Sequence, residues 1–273
     1  MKKQSFFKFI PIITLFSTIF IGILDPAPIQ RLRLLGFDQI QRLEPRPYQK
    51  LPVRIVDIDE KSLEALGQWP WPRTVMAELL IKLQKAGAAA VAFDILFAEP
   101  DRTSPNTILK QWKKFEGVSE NPELSDLISK LPDHDEVLAS TLKRLPTVLG
   151  IMFDNSGDVR DRPDPKWSYA QQGNDPRRFF QSYSGVVKAL DVLSSSTSGL
   201  GSINSTLDSD GIIRRVPLFV RLNSGEKFSK EIFPTLSVEA LRVAQRASTY
   251  LLRSSGASGD KSFGENLGLQ EIR

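Results

Sequence analysis

Residues 53–101 read VRIVDIDEKSLEALGQWPWPRTVMAELLIKLQKAGAAAVAFDILFAEPD, and this stretch decides the fold class. VRIVDI, residues 53–58, is a short apolar run of the buried-strand kind. Glu60 to Leu66 reads as a helical turn ending at Gly67, and QWPWPR follows as a rigid loop. A helix is predicted from Arg73 to about Ala86, with Pro72 at its first position, where the missing N–H costs nothing. Met76, Leu79, Leu80 and Leu83 share one face of it. Glu78, Lys82 and Lys85 share the other, and Glu78 and Lys82 have i,i+4 spacing. Gly87 ends this helix, and residues 90–97, AVAFDILF, form a second buried strand. Strand, helix and strand in this order predict a right-handed parallel βαβ unit.

Toward the C-terminus the polar stretch 99–121 is followed by predicted helices at 122–131 and 133–145 and a third buried strand, PTVLGIMF, at 146–153. Residues 154–185 are poorly patterned and read as an irregular insertion. Residues 199–222 predict a β-hairpin through the turn LDSDG, with a second turn, NSGEK, after it. Residues 234–252 read as an amphipathic helix with Leu236, Ala240, Val243, Ala244, Ala247 and Leu251 on one side. The Ser/Gly-rich stretch 253–266 reads as a loop with no closing element after it. The expected fold is α/β, a partly parallel sheet built from βαβ units with an added antiparallel hairpin, preceded by one transmembrane helix.

Toward the N-terminus, residues 28–44 recur at near-helical spacing through Ile29, Leu32, Leu35, Ile40 and Leu43, and the prolines of EPRPYQKLP then break the helix. Residues 6–24, FFKFIPIITLFSTIFIGIL, are long and apolar enough to be a membrane anchor. A cleaved signal peptide is the alternative, but Ala27 is the one good cleavage candidate and Pro28 follows it, so an uncleaved anchor is favoured. Lys2 and Lys3 put the N-terminus in the cytoplasm and everything after Leu24 outside.

Composition narrows the chemistry. The 273 residues are 41% hydrophobic and 25% charged, which fits a folded body and excludes a disordered tail or a polytopic membrane protein. There is no cysteine, so disulfides, thiol catalysis and thiolate metal sites are excluded. With one histidine, His134, a multi-histidine metal site is excluded as well, and His134 is expected to face solvent at a helix start. Lys2, Lys3 and Lys8 supply most of the net charge of +4, so the body is nearly neutral and no nucleic-acid partner is expected.

The three predicted strands end in aspartates: Asp57 and Asp59, Asp94, and Asp154. Carboxylates beyond the carboxyl ends of strands are placed to bind a cation or cationic ligand. Structural roles compete: Asp59 as a cap for the helix at Glu60, and Asp94 as a partner for a buried arginine such as Arg73. Trp69 and Trp71, held between prolines, suit an aromatic pocket or a packed lid. Arg73 at a helix start opposes the dipole and calls for a carboxylate or an anionic ligand beside it. Asp208-Ser-Asp210-Gly211 matches an EF-hand loop poorly and reads as turn chemistry, with Asp208 and Asp210 bonding local backbone and Gly211 at positive φ. GASGDKS, residues 256–262, has the wrong spacing for a phosphate loop. No catalytic constellation, metal site or cofactor is predicted.

These pieces, in order, resemble the type-2 CHASE domain, an extracellular sensory module of bacterial signalling receptors. The resemblance rests on D-x-D-x-x-S from Asp57, G-x-W-P-W-P-R ending at Arg73, F-D-I-x-F-x-E-P-D ending at Asp101, and the G-x-x-N and D-x-D-G-x-x-R pieces from Gly201 to Arg214. It covers about 30–273. It implies a signal anchor at 1–24, a juxtamembrane helix and linker at 25–50, and an extracytoplasmic sensory domain at 51–273 that is incomplete at its C-terminal end. The output module would be a nucleotide cyclase, histidine kinase, Ser/Thr kinase or diguanylate cyclase outside this chain, so the chain itself is expected not to be an enzyme. Expected ligand contacts are Asp57, Asp59, Trp69, Trp71, Arg73 and Asp94. Asn204, Asp208, Asp210, Gly211 and Arg214 are expected to be structural. The expected partners are the membrane, an unknown extracellular ligand and, as an open question, a second copy. The competing readings are an anchored metal-assisted hydrolase using Asp57, Asp59 and Asp94, and an anchored interaction domain dimerising through 28–44.

Overall fold

The computed structural model describes residues 10–114, 122–158, 162–223, 231–255, 257 and 269–272. The chain divides into two units, one running to Asp57 and including Ser209–Ile212, the other comprising Ile58–Asp208 and Ile213–Arg273.

The first unit carries α1 (Ile10–Leu24) and α2 (Ala27–Leu43), and no residue of α2 is buried. Every described side chain of α1 with a large apolar group, Phe16 and Phe20 among them, is exposed. At 15 residues α1 spans about 22 Å, and no helix among the described residues is long and apolar enough to cross a membrane. The expected span from Phe6 is therefore unsupported here, and residues 6–9 lie outside the described residues. The predicted strand 53–58 is not one. The segment forms no strand ladder, and Ile55 is 92% exposed. A short apolar run does not name the partner that a strand's ladder requires, and β-branched residues alone do not supply one.

All the strands among the described residues belong to the second unit. Asp59 caps α3 (Glu60–Leu66) by accepting from the Ser62 amide, and Gly67 at φ 88° ends it. α4 (Arg73–Lys85) buries Arg73, Met76, Ala77 and Leu80, and Pro72 is its N-cap, one position earlier than predicted. β1 (Val91–Phe93) follows. The polar stretch after it contains α5 (Pro105–Trp112), which sequence reading missed, and then come α6 (Pro122–Ser129) and α7 (His134–Leu142). β2 (Thr147–Asp154) is the centre of the main sheet: Thr147 to Ile151 and Phe153 are buried, with Val148, Leu149 and Ile151 fully enclosed, while Met152 is exposed. β1 lies parallel on one side, with Val91 opposite Thr147, and β6 (Gly199–Ser202) lies parallel on the other, with Val148 opposite Gly199. The end of β2 also pairs antiparallel with β5 (Gly185–Val187). The main sheet is thus partly parallel, with its parallel connections running β1 to β2 and β2 to β6.

The region 154–185 is more regular than its sequence. It holds β3 (Ser168–Gln172), a 3-10 turn at Pro176–Phe179 and β4 (Gln181–Tyr183) before β5, and α8 (Asp191–Ser196) precedes β6. The expected hairpin at 199–222 is corrected. Its arms join different sheets: β6 pairs β2, whereas β7 (Phe219–Leu222) lies between β4 and β8 (Ile232–Pro234). One antiparallel bridge, Thr206 to Arg215, spans the turn. The predicted helix 234–252 is split. α9 (Leu236–Ala244) ends before Arg246, whose φ of 57° breaks the helix, and β9 (Thr249–Ser254) follows with Tyr250 and Leu252 alternately buried. β10 (Leu269–Ile272) pairs with β9, so an element does follow the Ser/Gly-rich loop. Most of the NSGEK turn and of 256–268 lies outside the described residues.

α9 packs across β6, β2 and β1. Gly199 and Gly201 permit this approach. A Cβ on Gly201 would stand 2.5 Å from Leu236 Cα, and one on Gly199 would stand 2.8 Å from Glu239 Cγ. α4 and α7 contribute Met76, Leu80, Leu138 and Leu142 to the same core as Leu149 and Ile151. Gly201→Ala should cost about 1–3 kcal/mol, because the obstructing atoms are backbone. Urea denaturation measures this, and an unchanged midpoint would show that α9 can shift freely.

Candidate functional site

Arg73 stands at the junction of three segments: the start of α4, the loop 97–104 after β1, and the start of α7. Its backbone N–H donates to Asp101 Oδ2 at 2.7 Å. Its Nε donates to Asp135 Oδ1 at 3.3 Å and its Nη2 to the Glu99 carbonyl at 3.2 Å. The guanidinium lies over the Phe97 ring, 4.5 Å from its centroid. Asp135 closes the loop by accepting the Asp101 amide at 2.9 Å. Arg73, Asp101 and Asp135 are all buried.

Asp101 also accepts the Thr103 amide at 2.8 Å and the Thr103 hydroxyl at 2.7 Å. Burial pushes its carboxyl up, but the hydrogen bonds from Arg73 and Thr103 outweigh that and hold it below the usual aspartate value. For Asp135 burial prevails over the Asp101 amide and the Arg73 charge, and its carboxyl is raised. His134 is not the solvent-facing residue expected. Its backbone N–H donates to the buried Ser104 hydroxyl at 2.8 Å, and its Nδ1 lies 3.1 Å from Thr103 Oγ1 and 3.3 Å from Asp101 Oδ2.

The other predicted contacts fall into separate places. Arg73 does meet a carboxylate, but it is Asp135 and not Asp94. Asp94 is exposed at the end of β1. Asp59 is occupied as a cap, taking the Ser62 amide at 2.9 Å and hydroxyl at 2.6 Å, and these bonds hold its carboxyl low. Asp57 is exposed in the first unit. Among the described residues no group of three or more acidic or histidine side chains is placed to hold a metal ion, so Asp57, Asp59 and Asp94 do not build the cation site that strand-end aspartates promised. Trp71 is core: it is 5% exposed, donates to the Gly67 carbonyl at 2.7 Å and meets Trp69 edge to face at 5.7 Å. Trp69 packs partly buried against that core.

Asn204 has a role of its own. Its side-chain amide donates to the Phe153 carbonyl at 2.7 Å and accepts the Phe153 amide at 2.8 Å, so it imitates a strand partner beyond the end of β6. Asp208 pairs with Arg214 at 3.0 Å instead of bonding local backbone. Asp210 accepts the Ile212 amide at 3.2 Å, and Gly211 has φ 81°.

A second buried network escaped the sequence reading. Glu239, fully buried, accepts Arg242 Nη2 at 2.6 Å, Arg242 Nε at 2.8 Å and the Tyr250 hydroxyl at 2.5 Å. Arg242 also donates to the Ser198 and Ala247 carbonyls. Burial and the adjacent Glu239 carboxylate push the Tyr250 phenol well up, so it stays a hydrogen-bond donor. The Glu239-x-x-Arg242 spacing, which puts both charges on one helix face, is the signal for it in the sequence.

The motif ends WPWPR and FAEPD therefore meet in space as Arg73 and Asp101. The CHASE2 domain model matches residues 13–270. The chain belongs to the CHASE2 domain family. CHASE2 is an extracellular sensory domain family of signalling receptors. Neither the curated proteins nor the solved structures give a match. In this CHASE2 chain the motif residues described above join segments of the fold to one another.

Asp135→Ala should cost about 3–5 kcal/mol in urea denaturation, because it strands a buried guanidinium. Asp94→Asn should stay within about 0.5 kcal/mol. Equal stability of the two variants would remove Arg73 from its central place. The pH response has a sign as well. Asp101, lowered from 3.8, stabilises the fold when ionised, and this is lost as pH falls through its folded value. Asp135, raised from 3.8, acts oppositely as pH rises through that range. Acid titration of stability should show a loss below about pH 4 that Asp101→Asn diminishes.

Proposed function

We propose that this CHASE2 chain is the extracytoplasmic input region of a membrane-bound bacterial signalling receptor. The family match over residues 13–270 carries this reading. α1 serves as the core of the anchor, with Lys2, Lys3 and Lys8 on the cytoplasmic side and the second unit outside. The output is a nucleotide cyclase, histidine kinase, Ser/Thr kinase or diguanylate cyclase joined to this input.

The input works by population shift: a ligand that binds one arrangement better biases the equilibrium by its differential affinity. Within the second unit the exposed Asp94 and the half-buried Trp69 are its proposed contacts, and the exposed Asp57 is a separate candidate in the first. Asp59, Trp71 and Arg73 act from behind, through the cap, the core and the ion-paired junction. Because Arg73 ties α4, the loop 97–104 and α7 together, a ligand that moves one of them moves the others.

The test is topological. Single cysteines at Asp94 and Asn155, in a chain that has none of its own, should react with a membrane-impermeant maleimide in intact cells. Alkaline carbonate should leave the chain in the membrane fraction. Labelling only after lysis would overturn the extracytoplasmic assignment, and release by carbonate would overturn the anchor.

A further inference from the structure

His134 is the one histidine of the chain, and it sits on the Arg73 junction without belonging to the Arg73–Asp135 pair. Its backbone N–H ties the start of α7 to the Ser104 hydroxyl, and its ring reaches from α7 to the loop 97–104. Its side chain is 20% exposed and that of Asp101 beside it 4%. Such a ring is near enough to solvent to exchange a proton and buried enough for its charge to act on its neighbours.

The partners of Nδ1 assign its hydrogen. Thr103 Oγ1 donates to Asp101 Oδ1 at 2.7 Å, so it offers Nδ1 a lone pair at 3.1 Å. Asp101 Oδ2 lies 3.3 Å from Nδ1, and an ionised carboxylate only accepts. The ring therefore carries a hydrogen on Nδ1, and a further proton goes to Nε2. That proton makes the bond from Nδ1 to Asp101 charge-assisted and so stronger. Around the ring stand Asp133, Asp135 and Glu136 of α7, Glu99, Asp101 and Arg102 of the loop, Arg73 of α4, and Lys110 in the last turn of α5. Arg73 and the N-terminus of α7 oppose another positive charge, but Arg73 is already paired with Asp135. Asp101 touches the ring, and the charge on His134 in turn helps to hold the Asp101 carboxyl low. The same Asp101 Oδ2 accepts the Arg73 amide, so the ring acts on α4 as well as on α7 and the loop.

We infer that His134 makes this junction proton-responsive: the protonated ring clamps the loop 97–104 to α7, loss of the proton loosens the clamp, and the input so reads the pH around the domain. The inference rests on the input reading above for the side of the membrane on which that pH is read. The charged ring favours the closed junction, so its contribution is complete in acid and is lost as pH rises through the ordinary histidine range, about pH 5–8. Asp135, whose carboxyl is raised, also loses its contribution as pH rises, so the variants must separate the two.

Urea denaturation of the full chain in mild detergent, at about pH 5 and about pH 8, measures the contribution. Between these the unfolding equilibrium constant of the unaltered chain should rise several-fold more than that of His134→Gln, which has no charge there, or of His134→Lys, which keeps one throughout. Equal rises in all three would assign the slope to Asp135 and overturn the inference. Trypsin cleavage after the exposed Arg102, divided by the trypsin rate on a free peptide at the same pH, follows the loop itself. It should rise with pH in the unaltered chain and stay level in His134→Lys. Trypsin added to intact cells keeps the two readings apart. Cleavage that follows pH only after lysis would sink the extracytoplasmic placement and leave the clamp, whereas cleavage that ignores pH before and after lysis would sink the clamp.

Discussion

The second unit depends on one buried ion pair. Arg73 is taken out of water at a helix N-terminus, where the dipole already disfavours a cation, and Asp135 across the fold compensates it. Asp101 binds no part of the guanidinium, yet it fixes the same junction by accepting the Arg73 backbone amide and giving its own amide to Asp135. Such an arrangement holds only if α4, the loop 97–104 and α7 are all in place, because each supplies a group whose partner lies on another. Phe97 beneath the guanidinium ties this polar junction to the apolar core.

The main sheet obeys the same logic with different forces. β2 is enclosed because every position from Thr147 to Ile151 is buried, and it can be enclosed because β1 and β6 pair with both its edges. Glycines at 199 and 201 then bring α9 close enough for Glu239 to sit beside β6, and the Glu239–Arg242–Tyr250 network satisfies the charge so buried.

Some of the fold was legible in the sequence and some was not. α4 was readable from its periodicity, its loop and Gly87, and the strands at 91–93 and 147–154 from their apolar runs. Arg73 announced that it needed a carboxylate. Its partner was not readable, because Asp135 lies 62 residues away and Asp94, the nearer candidate, is exposed at the end of β1. The segment 53–58 has the composition of a strand and no ladder, and 249–252 has a helix-compatible pattern but pairs as β9 with β3 and β10.

By itself the sequence determined what is local: the periodicity of α4, the Asp59 cap on α3, the turn at Gly211, the absence of thiol chemistry and the ordered motifs that mark the CHASE2 family. Each depends on residues a few positions apart, or on composition. Only the tertiary structure decided which strands pair, where the 199–222 arms diverge, that Asp101 and Asp135 share Arg73, and that Trp71 is core. Those outcomes depend on groups dozens of residues apart, whose meeting is set by burial and by the need of every enclosed charge and backbone amide for a partner.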